Sequence, residues 1–266
     1  MSDYTLGLDP SITSYGWCVY DPSQAGLDQV VERGRWKTSA KQLEVARYLS
    51  HRNNLTNLIQ KYQIKRVGVE TPPVGNTGGF AQERLYALYM YNMEVFYTQQ
   101  VDVVLIAPTQ LQLYAKVWGG SIVKGPWDKS DMVNQAQVHL LGLYRYPKHC
   151  DYDATSMTKR DRLRSAGYKS NRFPQVIVSE YELETRKKLR IQNDEADALH
   201  AARFSHRFFE FVEGRLSEED MTPSEWDLFA KQHKITRGKR KGAVDKYGII
   251  FKENERFYRF NTTPAT

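Results

Sequence analysis

Cysteine is nearly absent from this chain of 266 residues, and long apolar runs are missing altogether. Two cysteines, Cys18 and Cys150, exclude a scaffold stapled by several disulfides. The longest apolar stretches, such as "VDVVLIA" at 101–107, fall well short of the ~20 residues that a membrane-spanning helix needs. The opening residues lack the basic start and apolar core of a signal peptide, so a reducing cytoplasm is the expected setting and no membrane is an expected partner. Internal repeats and low-complexity tracts are also missing. What is present is 41% hydrophobic residues, enough to fill one sizeable core.

The formal charge of +7 is unevenly spread. Residues 159–172, "KRDRLRSAGYKSNR", hold six Lys or Arg against one Asp, and residues 231–246, "KQHKITRGKRKGAVDK", hold seven against one. A single run of this kind reads as solvated surface. Two such blocks on a mildly acidic body point to a polyanion, above all nucleic acid.

Periodicity alternates between strand and helix along the chain. Residues 4–9, 15–20 and 29–36 read as an antiparallel meander, and 40–62 as a helix whose buried stripe runs through Leu43, Ala46, Leu49, Leu55, Leu58 and Ile59. A short strand follows at 66–70, then a loop from 71 to 79 rich in proline and glycine. Beyond it come a helix over 81–99, a strand at 101–107, a helix opening with Pro108 and running through "TQLQLYAKVW", and further helices at 129–142 and 193–212. This order is that of an α/β protein, with right-handed crossovers placing "TLGLD" and "RVGVE" as parallel neighbours in mid-sheet.

Those two strands share a pattern: Leu6-Gly7-Leu8-Asp9 and Val67-Gly68-Val69-Glu70. Side-chain alternation puts each glycine on the same face as its acid, and the glycine is expected to leave space beside the carboxylate. Two carboxylates should then meet at the carboxyl ends of adjacent strands, where open α/β sheets bind ligands. Further on, "IQNDEADALHAARF" sets Asp194 and Asp197 at i, i+3 on one helix face, with Glu195 turned away. Acids in a first turn also simply suit the helix dipole, and Asn193 or Asp194 is a candidate N-cap.

The "GLDPS…YGW" opening, the "VGVE" strand, the "DKSDMVNQAQVHLL" helix and the "DEADAL" helix resemble, in that order, the RuvC family of Holliday junction resolvases within the ribonuclease H-like superfamily. The resemblance covers roughly 1–143 and 190–212. It implies a mixed five-stranded sheet flanked by helices, here with a basic insertion over about 144–190 and a basic C-terminal extension over 213–266. It also implies that Asp9, Glu70, Asp194 and Asp197 hold two Mg²⁺ ions, with Mn²⁺ a possible substitute, and that Lys129 serves near the scissile phosphate. Hard carboxylate oxygens suit Mg²⁺, and two such ions compensate charge on both the attacking and the leaving oxygen of a phosphodiester. Ser11 stands where the family has glycine. Pro72 and Pro73 stand where it carries a junction-wedging aromatic, leaving Phe80 as the nearest one.

The expected activity is cleavage of four-way DNA junctions by paired nicking. Arg160, Arg162, Arg164, Lys169 and Arg172, with Lys124 and Phe80, are candidate DNA contacts, the cations acting through counterion release. Tyr168 is either a stacking or a packing residue. The helix "RLYALYMYNMEVFY" carries Tyr86, Tyr89, Met90, Tyr91, Met93, Phe96 and Tyr97 on more than one face, as a homodimer with two symmetric nicking sites would use. Two alternatives stay open: a ribonuclease H-like nuclease of flaps, other branched DNA or hybrids, and a non-catalytic DNA-binding protein. A sugar-kinase or actin-like ATPase would need a second Asp-Gly phosphate motif, which the chain lacks.

Overall fold

Side-chain alternation buries both faces of Thr5–Asp9 (β1) and Ser14–Tyr20 (β2), and the polar turn at 10–13 reverses the chain between them. Val30–Lys37 (β3) completes the meander, in register from Ser14 opposite Lys37 to Val19 opposite Glu32, with a one-residue shift that sets Tyr20 opposite Val30. The computed structural model describes residues 4–72, 79–115, 117–118, 121–122, 132–133, 135–136, 191–230, 232–234, 244–246, 248–249 and 257–261. On its other side β1 pairs parallel with Arg66–Glu70 (β4), which pairs parallel with Asp102–Ile106 (β5). The resulting order β3-β2-β1-β4-β5, with β2 alone running against the rest, is the ribonuclease H-like arrangement expected from the sequence.

Beyond β5 the chain makes two small antiparallel pairs. Val117–Trp118 (β6) pairs with Ser121–Ile122 (β7), and Gln232–Lys234 (β8) with Val244–Lys246 (β9). The first pair corrects the expectation of a helix reaching Trp118. Two glycines, Gly119 and Gly120, stand between β-formers there, and glycine pairs favour a hairpin over continued helix whatever the apolar spacing. Gly248–Ile249 (β10) and Phe257–Asn261 (β11) then lengthen the five-stranded sheet to seven, β11 pairing parallel with β5 and antiparallel with β10.

Two layers of helix cover the sheet. Glu44–Tyr62 (α1) and Gly79–Thr98 (α2) pack Leu55, Leu58, Ile59, Leu88, Val95 and Phe96 onto one face, against Leu6, Leu8, Val67, Val69, Val103 and Leu105. Pro108–Ala115 (α3) and Asn193–Val212 (α4) cover the other. The first half of the α1 stripe is not as expected: the helix begins at Glu44, and Leu43, Ala46 and Leu49 are exposed. These turns overlie loops rather than sheet, so polar groups point inward. His51 Nε2 donates to the Ile12 carbonyl at 2.9 Å, and Arg47 Nε donates to Thr38 Oγ1 at 2.9 Å.

Helix α4 rests on the sheet through small residues. A Cβ on Gly7 would collide with the Ala198 carbonyl and stand 2.8 Å from Ala202 Cβ. One on Gly68 would collide with the Ala201 carbonyl and stand 2.9 Å from Ser205 Cβ. The strand glycines thus admit helix backbone; the space expected beside the carboxylates is filled by α4. On its far side α4 joins an aromatic cluster, with Phe204 meeting Tyr114 at 5.2 Å and Phe229 at 5.2 Å between ring centroids. Phe229 belongs to the stretch following Pro223–Glu225 (α5), which Arg207 of α4 grips through the buried Glu225 at 2.8 Å. Among the described residues no helix is long and apolar enough to cross a membrane.

Candidate functional site

Strands β1 and β4 both end in an acid, and their register sets the two side by side. Gly7 pairs with Gly68 and Leu8 with Val69, so Asp9 and Glu70 are the next positions along two parallel strands. The Thr71 N–H donates to the Ile106 carbonyl at 2.8 Å, carrying the β4–β5 ladder past Glu70 and fixing its backbone. Because α4 lies so close, Asp197 reaches the same place. Asp9, Glu70 and Asp197 line one cavity of about 150 Å³, walled by Pro108, Leu111, Gln112 and Met132. A second depression of about 120 Å³ shares Asp9 and Glu70 and is bounded by Pro10, Thr71, Pro72 and Leu85.

Asp194, the fourth expected acid, lines neither. It packs over Gly16, the β2 residue opposite Asp9, where an added Cβ would stand 2.9 Å from Asp194 Cβ. Its carboxylate is turned toward β2 and β3, accepting from Ser14 Oγ at 2.5 Å with Arg35 Nη1 3.8 Å away. Glu195 pairs with Arg33 and lies 3.9 Å from Arg35 Nε. The helix cap is Gln192 rather than Asn193 or Asp194, and its N–H donates back to Glu195 at 3.4 Å. Ser14, Arg33 and Arg35 therefore belong to the site's surroundings, and sequence reasoning missed them. The alternation of Arg33, Arg35 and Lys37 signals one shared face but not which acids that face meets.

Neighbouring groups have fixed protonation states. Burial lowers His200 to about 3, with Arg203 adding to the effect, so its ring is neutral and Nε2 donates to the Met132 carbonyl at 3.1 Å. That bond holds one wall of the cavity. Burial raises the Tyr15 hydroxyl above its ordinary range, Asn92 opposes this, and the charge of Asp9 adds to it. Burial pushes the Cys18 thiol up to about 12, leaving it protonated and inert.

In kind, the donor set fits a hard divalent cation, since three carboxylates and an amide face the cavity without sulfur or imidazole donors of the ordinary metal-binding kinds. Among the described residues no three His, Cys, Asp or Glu side chains stand together as a group that could hold a metal ion. An ion here would complete its shell with water and substrate oxygens, as Mg²⁺ does. Phe80 is 80% exposed at the start of α2. Lys124, Lys129, Arg160, Arg162, Arg164, Tyr168, Lys169 and Arg172 lie outside the described residues. Residues Tyr86, Met90 and Tyr97 form an exposed side of α2, while Phe96 is buried and Tyr91 stacks on Tyr48.

Fold and site together define a ribonuclease H-like α/β protein with a carboxylate-lined cavity at the carboxyl ends of its central parallel strands. No protein-family model matches the chain, and no curated protein matches it. Among solved structures, the chain is similar to T. thermophilus RuvC in complex with a Holliday junction substrate, at 14% identity and a TM-score of 0.49, over 80% of this chain and 97% of that one. A second Thermus thermophilus RuvC structure is similar at 16% identity and a TM-score of 0.47, over the same shares.

Proposed function

We propose that this chain is a Mg²⁺-dependent endonuclease that cuts four-way DNA junctions by paired nicking, as a homodimer in the cytoplasm. The observation that carries this reading is the meeting of Asp9, Glu70 and Asp197, from three separate segments of the chain, in one cavity. In this reading the three carboxylates hold the metal, with Mn²⁺ an acceptable substitute, and Asp194 joins them when it leaves Ser14 and Arg35. Bound Mg²⁺ supplies Lewis-acid charge for the attacking and leaving oxygens. Strand-borne Asp9 and Glu70 keep their carboxylates in fixed register, which in-line attack requires. Lys129 favours charge at the scissile phosphate, and Phe80, exposed at the start of α2, is the candidate base-stacking residue. The exposed side of α2 at Tyr86, Met90 and Tyr97 is the face assigned to the second copy.

The test is cleavage of labelled four-way junction, flap, duplex and RNA–DNA hybrid with Mg²⁺ or Mn²⁺, beside an Asp9→Asn variant. Paired symmetric nicks in the junction alone, lost in a variant that still binds it, are the expected result. Broad cutting of flaps or hybrids keeps the metal site and overturns the substrate. Tight binding without cutting makes the chain a non-catalytic binder, and an Asp9→Asn variant that does not fold makes Asp9 a structural acid.

A further inference from the structure

A third depression, of about 300 Å³, lies beside the two that contain the acids. Ser11, Thr13, Arg47, Ala81, Arg84 and Leu85 line it, and Leu85 also lines the depression that holds Asp9 and Glu70. The hollow with the two guanidinium groups therefore borders the one that holds Asp9 and Glu70, with Leu85 between them.

Arg47 is the unusual member. It is only 8% exposed, and its side chain donates to the hydroxyls of Thr38, at 2.9 Å, and Thr13, at 3.3 Å. Among the described residues no carboxylate pairs with it. The nearest acid along its own helix, Glu44, is taken up by Arg84 at 2.8 Å and by the Tyr48 hydroxyl. A guanidinium withdrawn from water without a counter-charge is costly, and an anion arriving beside it would offset part of that cost. Two neutral hydroxyl partners leave several of its five N–H donors for that anion, and a planar fork matches phosphate oxygens. Arg84, half exposed, can turn from Glu44 toward the same hollow, and Ser11 adds a hydroxyl donor.

We infer that the hollow between the 11–13 turn and α2 is a phosphate-binding subsite, with Arg47 as its fixed anchor and Arg84 as its mobile second cation. Resting on the nuclease reading above, its natural occupant is a backbone phosphate of the strand whose scissile phosphate lies over Asp9 and Glu70. The subsite then sets which stretch of strand enters the acids, without reading bases.

Two readouts test it on the whole protein. The first is the thermal shift produced by inorganic phosphate over chloride at equal ionic strength. The second is the salt dependence of binding to labelled four-way junction and single strand, in the Asp9→Asn background. Arg47→Gln and Arg84→Gln are compared with Thr38→Val, which loosens the loop tether but keeps both cations. The expected result is a phosphate shift that Arg47→Gln abolishes and Thr38→Val retains, with a salt slope reduced by about 0.7 to 0.9 for each phosphate no longer neutralised. If Arg47→Gln does not fold, the half-exposed Arg84→Gln carries the comparison. A phosphate shift without a change in DNA slope assigns the subsite to a free anion, and the reverse assigns it to nucleic acid alone. Folded variants unchanged in both readouts overturn it. A protein that shows both effects yet cuts no substrate keeps the subsite and loses the nuclease reading.

Discussion

Gly7 of β1 lies directly beneath the Ala198 carbonyl of α4, with no room for a methyl group between them. One residue before Ala198 on that helix is Asp197, and two residues after Gly7 on the strand is Asp9. The depth at which α4 seats on the sheet thus sets how near the helix acid comes to the strand acids. Gly7→Ala must push α4 outward or distort β1, and overpacking of this kind costs about 1–3 kcal/mol, with backbone as the obstacle placing it at the upper end. Gly79→Ala is the control, because nothing lies within 4 Å of a Cβ there. Urea denaturation is expected to separate the two clearly. Equal midpoints would mean that α4 is not seated by Gly7.

The Ser14 bond to Asp194 joins residues 180 positions apart and ties the meander to the first turn of α4. Ser14→Ala should cost about 1.5–3 kcal/mol, the usual net worth of a hydrogen bond to a charged group. In an Asp194→Ala background the same change should cost almost nothing, because the partner is already gone. A double-mutant cycle by chemical denaturation reads this directly. Purely additive effects would show that the link contributes no coupling, and Asp194 would then be equally stable facing the cavity.

The sheet order, the pairing of β1 with β4 and the meeting of Asp9 with Glu70 were all legible, because alternation marks the strands and the right-handed crossover rule sets the two acid-ending ones side by side. Asp197 was legible from helical spacing. The orientation of Asp194 was not, since it depends on Ser14 and Arg35, whose long-range partners leave no periodic trace. The α1 stripe misled at Leu43 and Leu49 because periodicity finds an apolar face without telling whether sheet or loop lies beneath it. Addition of β11 to the β5 edge was illegible for a related reason: a ladder between segments far apart in sequence has no local signature. Arg47 has the sequence surroundings of an ordinary surface cation, and its bonds to Thr13 and Thr38, far from it along the chain, leave no trace there.

Acid should destabilise the fold well above the carboxylate range. Folded His200 protonates only near 3, whereas the unfolded chain returns it to about 6.5. Below that value the unfolded state binds a proton that the folded state refuses, so this contribution is fully present above pH ~6.5 and is lost as pH falls toward 3. The limiting slope is about 1.4 kcal/mol per pH unit for one such group. Burial lowers His51 in the same direction. Denaturation midpoints at pH 7, 6 and 5 should fall progressively, and His200→Gln, which retains a donor for the Met132 carbonyl, should flatten the profile. A midpoint that stays level from pH 7 to 5 would remove the buried histidines from the acid response.

The two basic blocks act through counterions if they act on nucleic acid at all, and that makes their contribution measurable without knowing which phosphates they meet. Each phosphate neutralised releases bound cations, so the logarithm of affinity falls with the logarithm of salt at about 0.9 per phosphate on duplex DNA. Replacing Arg160, Arg162, Arg164, Lys169 and Arg172 with glutamate should therefore weaken junction binding most at low salt and flatten its salt dependence. The parent and variant affinities should converge as salt rises. Fluorescence anisotropy across a salt series, in the Asp9→Asn background so that the DNA stays whole, gives the slope. A variant that binds more weakly with an unchanged slope is impaired in something other than phosphate neutralisation, and one unchanged in both would leave this block as solvated surface.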